Sequence, residues 1–319
     1  MQLRGSGHLL ARSFLLALFA TLFAAWAVCQ EARPANIVPR ARPNPERSDT
    51  HAIRTDVKMV LVPASVTDNG DRPIMDLQKE DFHLFEDAVE QKIESFSMDQ
   101  APVSLGIVFD SSGSMKNKID KSFKAVDQFL KTSLPGDEFF LVQFSDTPVL
   151  RVGFTPDVEE IMSSVSSIRP QGWTALLDAI CLSVHQMKSA KNSRRALLIL
   201  SDGGDNNSRY SDTEIINLLR EADVRVYAIG LFDNARFLKK AAEDTGGHMI
   251  VIHSLNDLPG AVEKLSMQLR SEYLLGYYPA DGQNDGKYHR LKVQVAERIR
   301  QFHTSWRHGY YAPVIDAIR

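Results

Sequence analysis

The stretch "IVFDSSGSM", residues 107–115, decides how the rest of the chain is read. An apolar run stops at Asp110, and the hydroxyls of Ser111, Ser112 and Ser114 follow around Gly113. Four further runs share the texture of its first half: "EFFLVQFS" (138–145), "RALLILSD" (195–202), "VRVYAIGLF" (224–232) and "HMIVIHS" (248–254). They are short, rich in β-branched and aromatic residues and without polar alternation, the pattern of strands buried on both faces. Helical periods lie between them. In "KIDKSFKAVDQFLKTSL" (118–134) the residues Ile119, Phe123, Val126 and Leu130 share one face, and "TALLDAICLSVHQMKSA" (174–190) and "DTEIINLLREA" (212–222) behave alike. This alternation predicts an α/β domain with a doubly wound, mostly parallel sheet. "TPVLRVGF" (147–154) follows its predecessor too closely for a helical crossover, so it is expected as an antiparallel edge strand.

In an open sheet of this kind, ligands bind at the carboxyl ends of the strands, where the strand order reverses. Asp110 ends one strand and Asp202 ends another; if the two are neighbours, both carboxylates reach the same edge. Thr174, in the Gly-containing loop "QGWTALLD" (171–178), lies between them in sequence. Positions 110, 112 and 114 alternate, so an extended loop points their side chains the same way. Gly113 lets that loop turn sharply, and Ser114 is expected to open a helix, whose first N–H groups favour negative charge. Two carboxylates held together repel unless a cation separates them. Asp110, Ser112, Ser114, Thr174 and Asp202 are all hard oxygen donors, which suits Mg²⁺, Mn²⁺ or Ca²⁺ and disfavours zinc. A coordination position left vacant could accept a carboxylate from outside, which makes a binding site rather than a catalytic one. Helix capping accounts for one such Ser or Thr but not for three. Asp205, close after Asp202, is expected to be a solvated loop residue.

The flanks differ in texture. "DVKMVLVPASVTDN" (56–69) and "DFHLFEDAVEQKIESFSMD" (81–99) read as strands before the α/β block, and "SEYLLGYYPA" (271–280), "GKYHRLKVQVA" (286–296) and "RQFHTSWRHGYYAP" (300–313) as strands after it. Either flank alone is thin for a core. The economical arrangement pairs them into one β-sandwich with the α/β domain inserted between. The expected organisation is a leader at 1–29, a Pro-rich linker at 30–50, an N-terminal β segment at 51–100, the α/β domain at 101–270 and a C-terminal β segment at 271–319 pairing with 51–100.

The leader rests on Arg4, His8 and Arg12 ahead of the uncharged run "SFLLALFATLFAAWAV" (13–28), the order of a secretory signal. Ordinary cleavage ranks above lipidation of Cys29, with an uncleaved membrane anchor close behind, so the protein is expected in the periplasm, the cell envelope or outside the cell. Cys181 is the other cysteine of the chain and falls in a helical, apolar pattern, as a small buried residue. Forty-four per cent hydrophobic and 24% charged residues mark ordinary globular material, and a net charge of −3 gives no basic face for nucleic acid.

The pattern Asp110-x-Ser112-x-Ser114, then Thr174, then Asp202-Gly203 resembles the metal-ion-dependent adhesion site of von Willebrand factor type A domains. The resemblance spans about Val103 to Leu269, and the flanks are similar to bacterial exported proteins with a domain related to this type. It implies a Rossmann-like fold, with Ser112, Ser114 and Thr174 as hydroxyl ligands and with Asp110 and Asp202 acting partly through water. It names no ligand. The function expected is a non-catalytic, exported module that captures an acidic side chain of a protein partner through a bound divalent ion. The alternatives are a structural or assembly subunit of the envelope with a purely structural ion and, more weakly, a metal-dependent hydrolase. Enzymatic readings lack their signatures: the sequence around Ser112 is not G-x-S-x-G, position 112 is Ser where an aspartyl phosphoryl-transfer enzyme needs an acid, and no Gly-rich phosphate loop with Lys occurs.

Overall fold

A computed structural model describes residues 59–98, 101–202, 204–231, 236–279, 285–296 and 302–313. The expected leader, the Pro-rich linker and Cys29 lie outside these residues. Among those described, no helix is long and apolar enough to cross a membrane.

Four strands come first: β1 (Val60–Asp68), β2 (Phe82–Glu86), β3 (Val89–Gln91) and β4 (Ser95–Met98). The central block follows as β5 (Val103–Asp110), α1 (Ile119–Leu130), β6 (Glu138–Phe144), β7 (Pro148–Thr155), α2 (Val158–Ser166), α3 (Leu176–Met187), β8 (Arg194–Ser201), α4 (Asp212–Ala222), β9 (Arg225–Leu231), α5 (Arg236–Thr245), β10 (His248–Ile252) and α6 (Leu258–Arg270). The chain closes with β11 (Tyr273–Tyr277), β12 (Tyr288–Val295), β13 (Phe302–Trp306) and β14 (Gly309–Tyr311).

The six-stranded sheet runs β10-β9-β8-β5-β6-β7, parallel except for β7, which lies antiparallel to β6 at the edge. All eight residues of β5 are buried, as its unbroken apolar run requires of a central strand. Helices α1, α2 and α6 cover one face with a core built on Leu105, Ile107, Phe109 and Leu198; α3, α4 and α5 cover the other around Val108, Phe140, Leu197 and Ile199. From β5 the chain moves out to β6 and β7, then crosses back to β8 on the opposite side. The strand order therefore reverses between β5 and β8, where Asp110 and Asp202 emerge.

The flanks pair as two antiparallel sheets, β13-β1-β11-β4 and β14-β12-β2-β3. Each mixes strands from both ends of the chain: β1 joins β11 and β13, and β2 joins β12. Val62, Val66, Leu84, Tyr273, Leu275 and Val293 form their common core. Buried Glu86 accepts hydrogen bonds there from the hydroxyls of Tyr277 (2.8 Å) and Tyr310 (2.6 Å), which removes the cost of an unsatisfied buried carboxylate. The doubly wound domain is thus inserted into a β-sandwich completed by both flanks.

Candidate functional site

The site begins where β5 runs out. Ser111 turns away from it: its N–H and hydroxyl both donate to the Phe144 carbonyl, and Gln143 donates to its Oγ. Asp110 and Ser112 point the other way, as the alternation of an extended chain requires. The Asp110 carboxylate is fully buried and both oxygens are engaged: Oδ1 accepts from the Ser112 N–H (2.8 Å) and Oδ2 from the Ser201 hydroxyl (2.6 Å). Burial pushes its pKa up, the Ser201 and Ser112 hydrogen bonds oppose this, and the charge of Asp202 adds to the rise.

Ser112 and Ser114 lie with their hydroxyl oxygens 3.0 Å apart, and Ser114 donates to Asp202 Oδ1 at 2.8 Å. A continuous run of oxygens therefore joins β5 to β8. The other Asp202 oxygen is paired with the Lys118 ammonium, and the Asp202 side chain keeps 3% of its exposure. Ser114 does not open an α-helix as expected. Residues Gly113–Asn117 form a 3-10 turn and α1 starts only at Ile119, so this turn, not the helix, carries the Ser114 hydroxyl.

Thr174 arrives on a separate loop that hydrogen bonds hold against the first. Gln171 N donates to Ser111 O (2.8 Å) and Gly113 N to Gly172 O (3.0 Å). Gly172 has φ +77°, a region open to glycine, and a Cβ there would stand 2.3 Å from Asp146 Oδ2. Asp146 in turn takes the Trp173 N–H (2.8 Å). Thr174 N donates to Asn206 Oδ1, and its carbonyl accepts from Asn206 N and Asn207 N, which ties this loop to the one after β8. Thr174 is 5% exposed, while Trp173 beside it is 65% exposed.

Asp110, Ser112, Ser114 and Asp202 are thus one hydrogen-bonded group, and Thr174 stands on the loop laced to both of its sides. Asp205 lies in the loop after β8, as expected, but is half-buried and engaged rather than simply solvated. It accepts from Leu177 N at 3.2 Å and from the N–H and hydroxyl of Ser208, so it closes the first turn of α3. Ser201, Lys118, Asp146 and Asn206 were not singled out from the sequence. Ser201 alone had a signal there, as a hydroxyl at the end of a strand next to Asp202.

The donor chemistry suits a small hard cation. Adjacent ligands of an octahedral ion at about 2.0–2.1 Å are separated by about 2.8–3.0 Å. The Ser112–Ser114 and Ser114–Asp202 oxygen pairs, at 3.0 and 2.8 Å, have that separation, which is also that of a hydrogen bond. Among the described residues no three of His, Cys, Asp and Glu gather into a metal-holding group. Hydroxyls therefore make up most of this donor set.

Residues 105–204 match the family model of the von Willebrand factor type A domain. A von Willebrand factor type A structure from Catenulispora acidiphila superposes with a TM-score of 0.50 over 81% of this chain and 74% of that one; at 12% identity the likeness is one of fold. Among curated proteins, the chain is 28% identical over 169 residues to inter-alpha-trypsin inhibitor heavy chain H4 of Bos taurus, covering 47% of this chain and 18% of that one. It is 25% identical over 147 residues to an uncharacterised protein of Borreliella burgdorferi, covering 43% of each. The chain spans less than a fifth of the length of the mammalian relatives it matches.

Proposed function

Because the chain carries a von Willebrand factor type A domain, we propose that it is an exported, non-catalytic binding protein. Its Asp110–Asp202 cluster holds a divalent cation, Mg²⁺ or Mn²⁺ before Ca²⁺, and uses it to capture an acidic side chain of a protein partner. Ser112, Ser114 and Thr174 supply hydroxyl oxygens, and Asp110 and Asp202 place those hydroxyls and join through water. The ion supplies a positive charge that an incoming carboxylate neutralises.

The observation that carries this reading is the unbroken run of oxygens, spaced at 3.0 and 2.8 Å, at the point where the strand order reverses. The charges around it favour a guest. Lys118 offsets the charge of Asp202, so of the two carboxylates only Asp110 is left without a cationic partner to neutralise the ion. Trp173, next to Thr174 in sequence, is exposed and offers a partner an aromatic anchor. Binding is favoured over catalysis because the hydroxyls of Ser112 and Ser114 bond to each other and to Asp202, with no histidine base on them among the described residues.

One observation favours a second reading, a structural or assembly subunit of the envelope. The Lys118–Asp202 pair gives Asp202 a counter-charge without any guest. The two readings separate on immobilised full-length chain presented with a Glu-containing peptide and its Gln counterpart, in Mg²⁺ and in EDTA. Capture of the Glu peptide alone, abolished by EDTA and by Ser114→Ala, is the expected result. Equal retention of both peptides in EDTA would overturn metal-mediated capture.

A further inference from the structure

At the end of the sheet opposite this site, a cleft of about 200 Å³ opens between the α/β domain and the sandwich. Ala101, the starts of β8 and β9 and the α6–β11 junction line it, with Leu61 and Pro63 of β1 and Leu274 of β11. Arg194, Arg195 and Arg225 line it, together with Asp223 and Glu272. Arg307 borders it, donating to the Leu61 carbonyl (3.1 Å) and pairing with Asp223 (2.6 Å). Glu272 is shared between Arg194 and Arg225.

Among the described residues, four guanidinium groups therefore meet two carboxylates, an excess of cationic charge in a partly desolvated place. Arg195 carries this imbalance: it makes no ion pair or side-chain hydrogen bond among the described residues, and its Nε is buried without a partner. The crowding also shows in Arg225, whose guanidinium burial pushes below its usual value, with Arg194 and Arg307 adding repulsion. An anion would satisfy these groups, and a guanidinium fork matches the paired oxygens of a carboxylate or phosphate. Leu61, Pro63 and Leu274 give the cleft an apolar part. A cavity of about 150 Å³ takes benzene, so this one has room for a ring with an oxyanion head.

We propose that this cleft binds a small organic oxyanion, a carboxylate or phosphate monoester carrying an apolar group, with Arg195 as its principal counter-charge. The site is independent of the cation cluster.

The test is calorimetric titration of the full chain at constant ionic strength with benzoate, phenyl phosphate, inorganic phosphate and neutral benzamide. Saturable one-to-one binding of benzoate or phenyl phosphate, weaker binding of inorganic phosphate and none of benzamide is expected, and whichever of the first two binds tighter identifies the head group. Arg195→Gln should weaken the better ligand roughly tenfold or more without lowering the melting temperature of the free protein. Leu61→Glu, which brings a carboxylate to the exposed mouth, should abolish binding and covers the case in which the arginine variant fails to fold. Absence of saturable binding by either organic anion, or unchanged affinity in the folded variants, would overturn the proposal.

Discussion

Replacing Glu272 by Gln removes a carboxylate that stands between two nearly buried guanidinium groups. Glu272 accepts from Arg194 Nη2 (2.7 Å), from Arg225 Nη1 and from the Tyr227 hydroxyl (2.9 Å). The Arg225 side chain is 7% exposed, so water cannot replace the lost charge. Breaking a buried pair from one side costs about 3–5 kcal/mol, because the remaining charge stays desolvated. That is a large part of the roughly 5–15 kcal/mol that holds a folded protein together. With a urea slope of about 3 kcal/mol/M, the unfolding midpoint should fall by about 1–1.7 M. Circular dichroism during urea titration reads this directly. A second variant separates charge from shape. Glu272→Leu combined with Arg225→Met replaces the pair by apolar groups and should recover most of the loss, since Arg194 keeps the carbonyls of Leu269 (2.6 Å) and Ala101 (3.2 Å). A loss below about 1 kcal/mol for Glu272→Gln, the range of a surface pair, or a double variant no more stable than Glu272→Leu alone, would refute this reasoning.

Gly106→Ala should destabilise by about 1–3 kcal/mol through overpacking, because its Cβ would meet Phe140 Cζ at 2.2 Å and Leu197 Cδ2 at 2.7 Å; an unchanged melting temperature would contradict the close packing of β5. His289, 5% exposed, lies between Asp87 (2.8 Å) and Asp285 (3.1 Å). Burial pulls the pKa of His289 down, but the hydrogen bonds and charges of Asp285 and Asp87 outweigh it, so the pKa is raised. Asp285 is pushed down to about 2, first by the Lys287 N–H and then by His289. The histidine contribution is complete below its unfolded pKa of about 6.5 and is lost as pH rises through the raised value. The carboxylate contribution is complete above about 4 and is lost as pH falls toward the lowered values. The stability gap between wild type and His289→Gln should therefore be widest between about pH 4.5 and 6 and close toward pH 9; a gap that does not vary with pH would refute the assignment. Mg²⁺ at a hundredfold excess over its Kd should stabilise the chain by about 2.7 kcal/mol relative to EDTA, and a melting temperature indifferent to EDTA would count against cation binding.

The sheet was legible because its strands announce themselves locally. The residues of β5, β6, β8 and β9 are apolar almost throughout, and a strand covered on both faces leaves no position for polar alternation. The edge position of β7 followed from the short connection before it, and the strand has a single buried residue, as an edge strand should. The sandwich was inferred from what neither flank could do alone, bury its apolar residues. The contacts that set the site's charge were not legible. Lys118 pairs with a residue 84 positions away, and Asn206 reaches a loop 32 positions before it. Nothing local marks either. Glu272 reads as a polar residue at a helix-to-strand junction, and its role appears only once β8 and β9 bring Arg194 and Arg225 beside it. The helical period of 118–134 gives no sign of the 3-10 turn before it, which is what carries Ser114. The hydrogen bond that Asp205 accepts from Leu177, 28 positions earlier, likewise has no local sign.

The proposed cation cluster is tested most directly by anomalous diffraction from crystals of this chain grown with Mn²⁺. One strong peak within bonding distance of Ser112 Oγ, Ser114 Oγ and Thr174 Oγ1, absent from crystals of Ser114→Ala, is the predicted result. A map with no peak there, or a peak that survives the Ser114 substitution at full height, would contradict it.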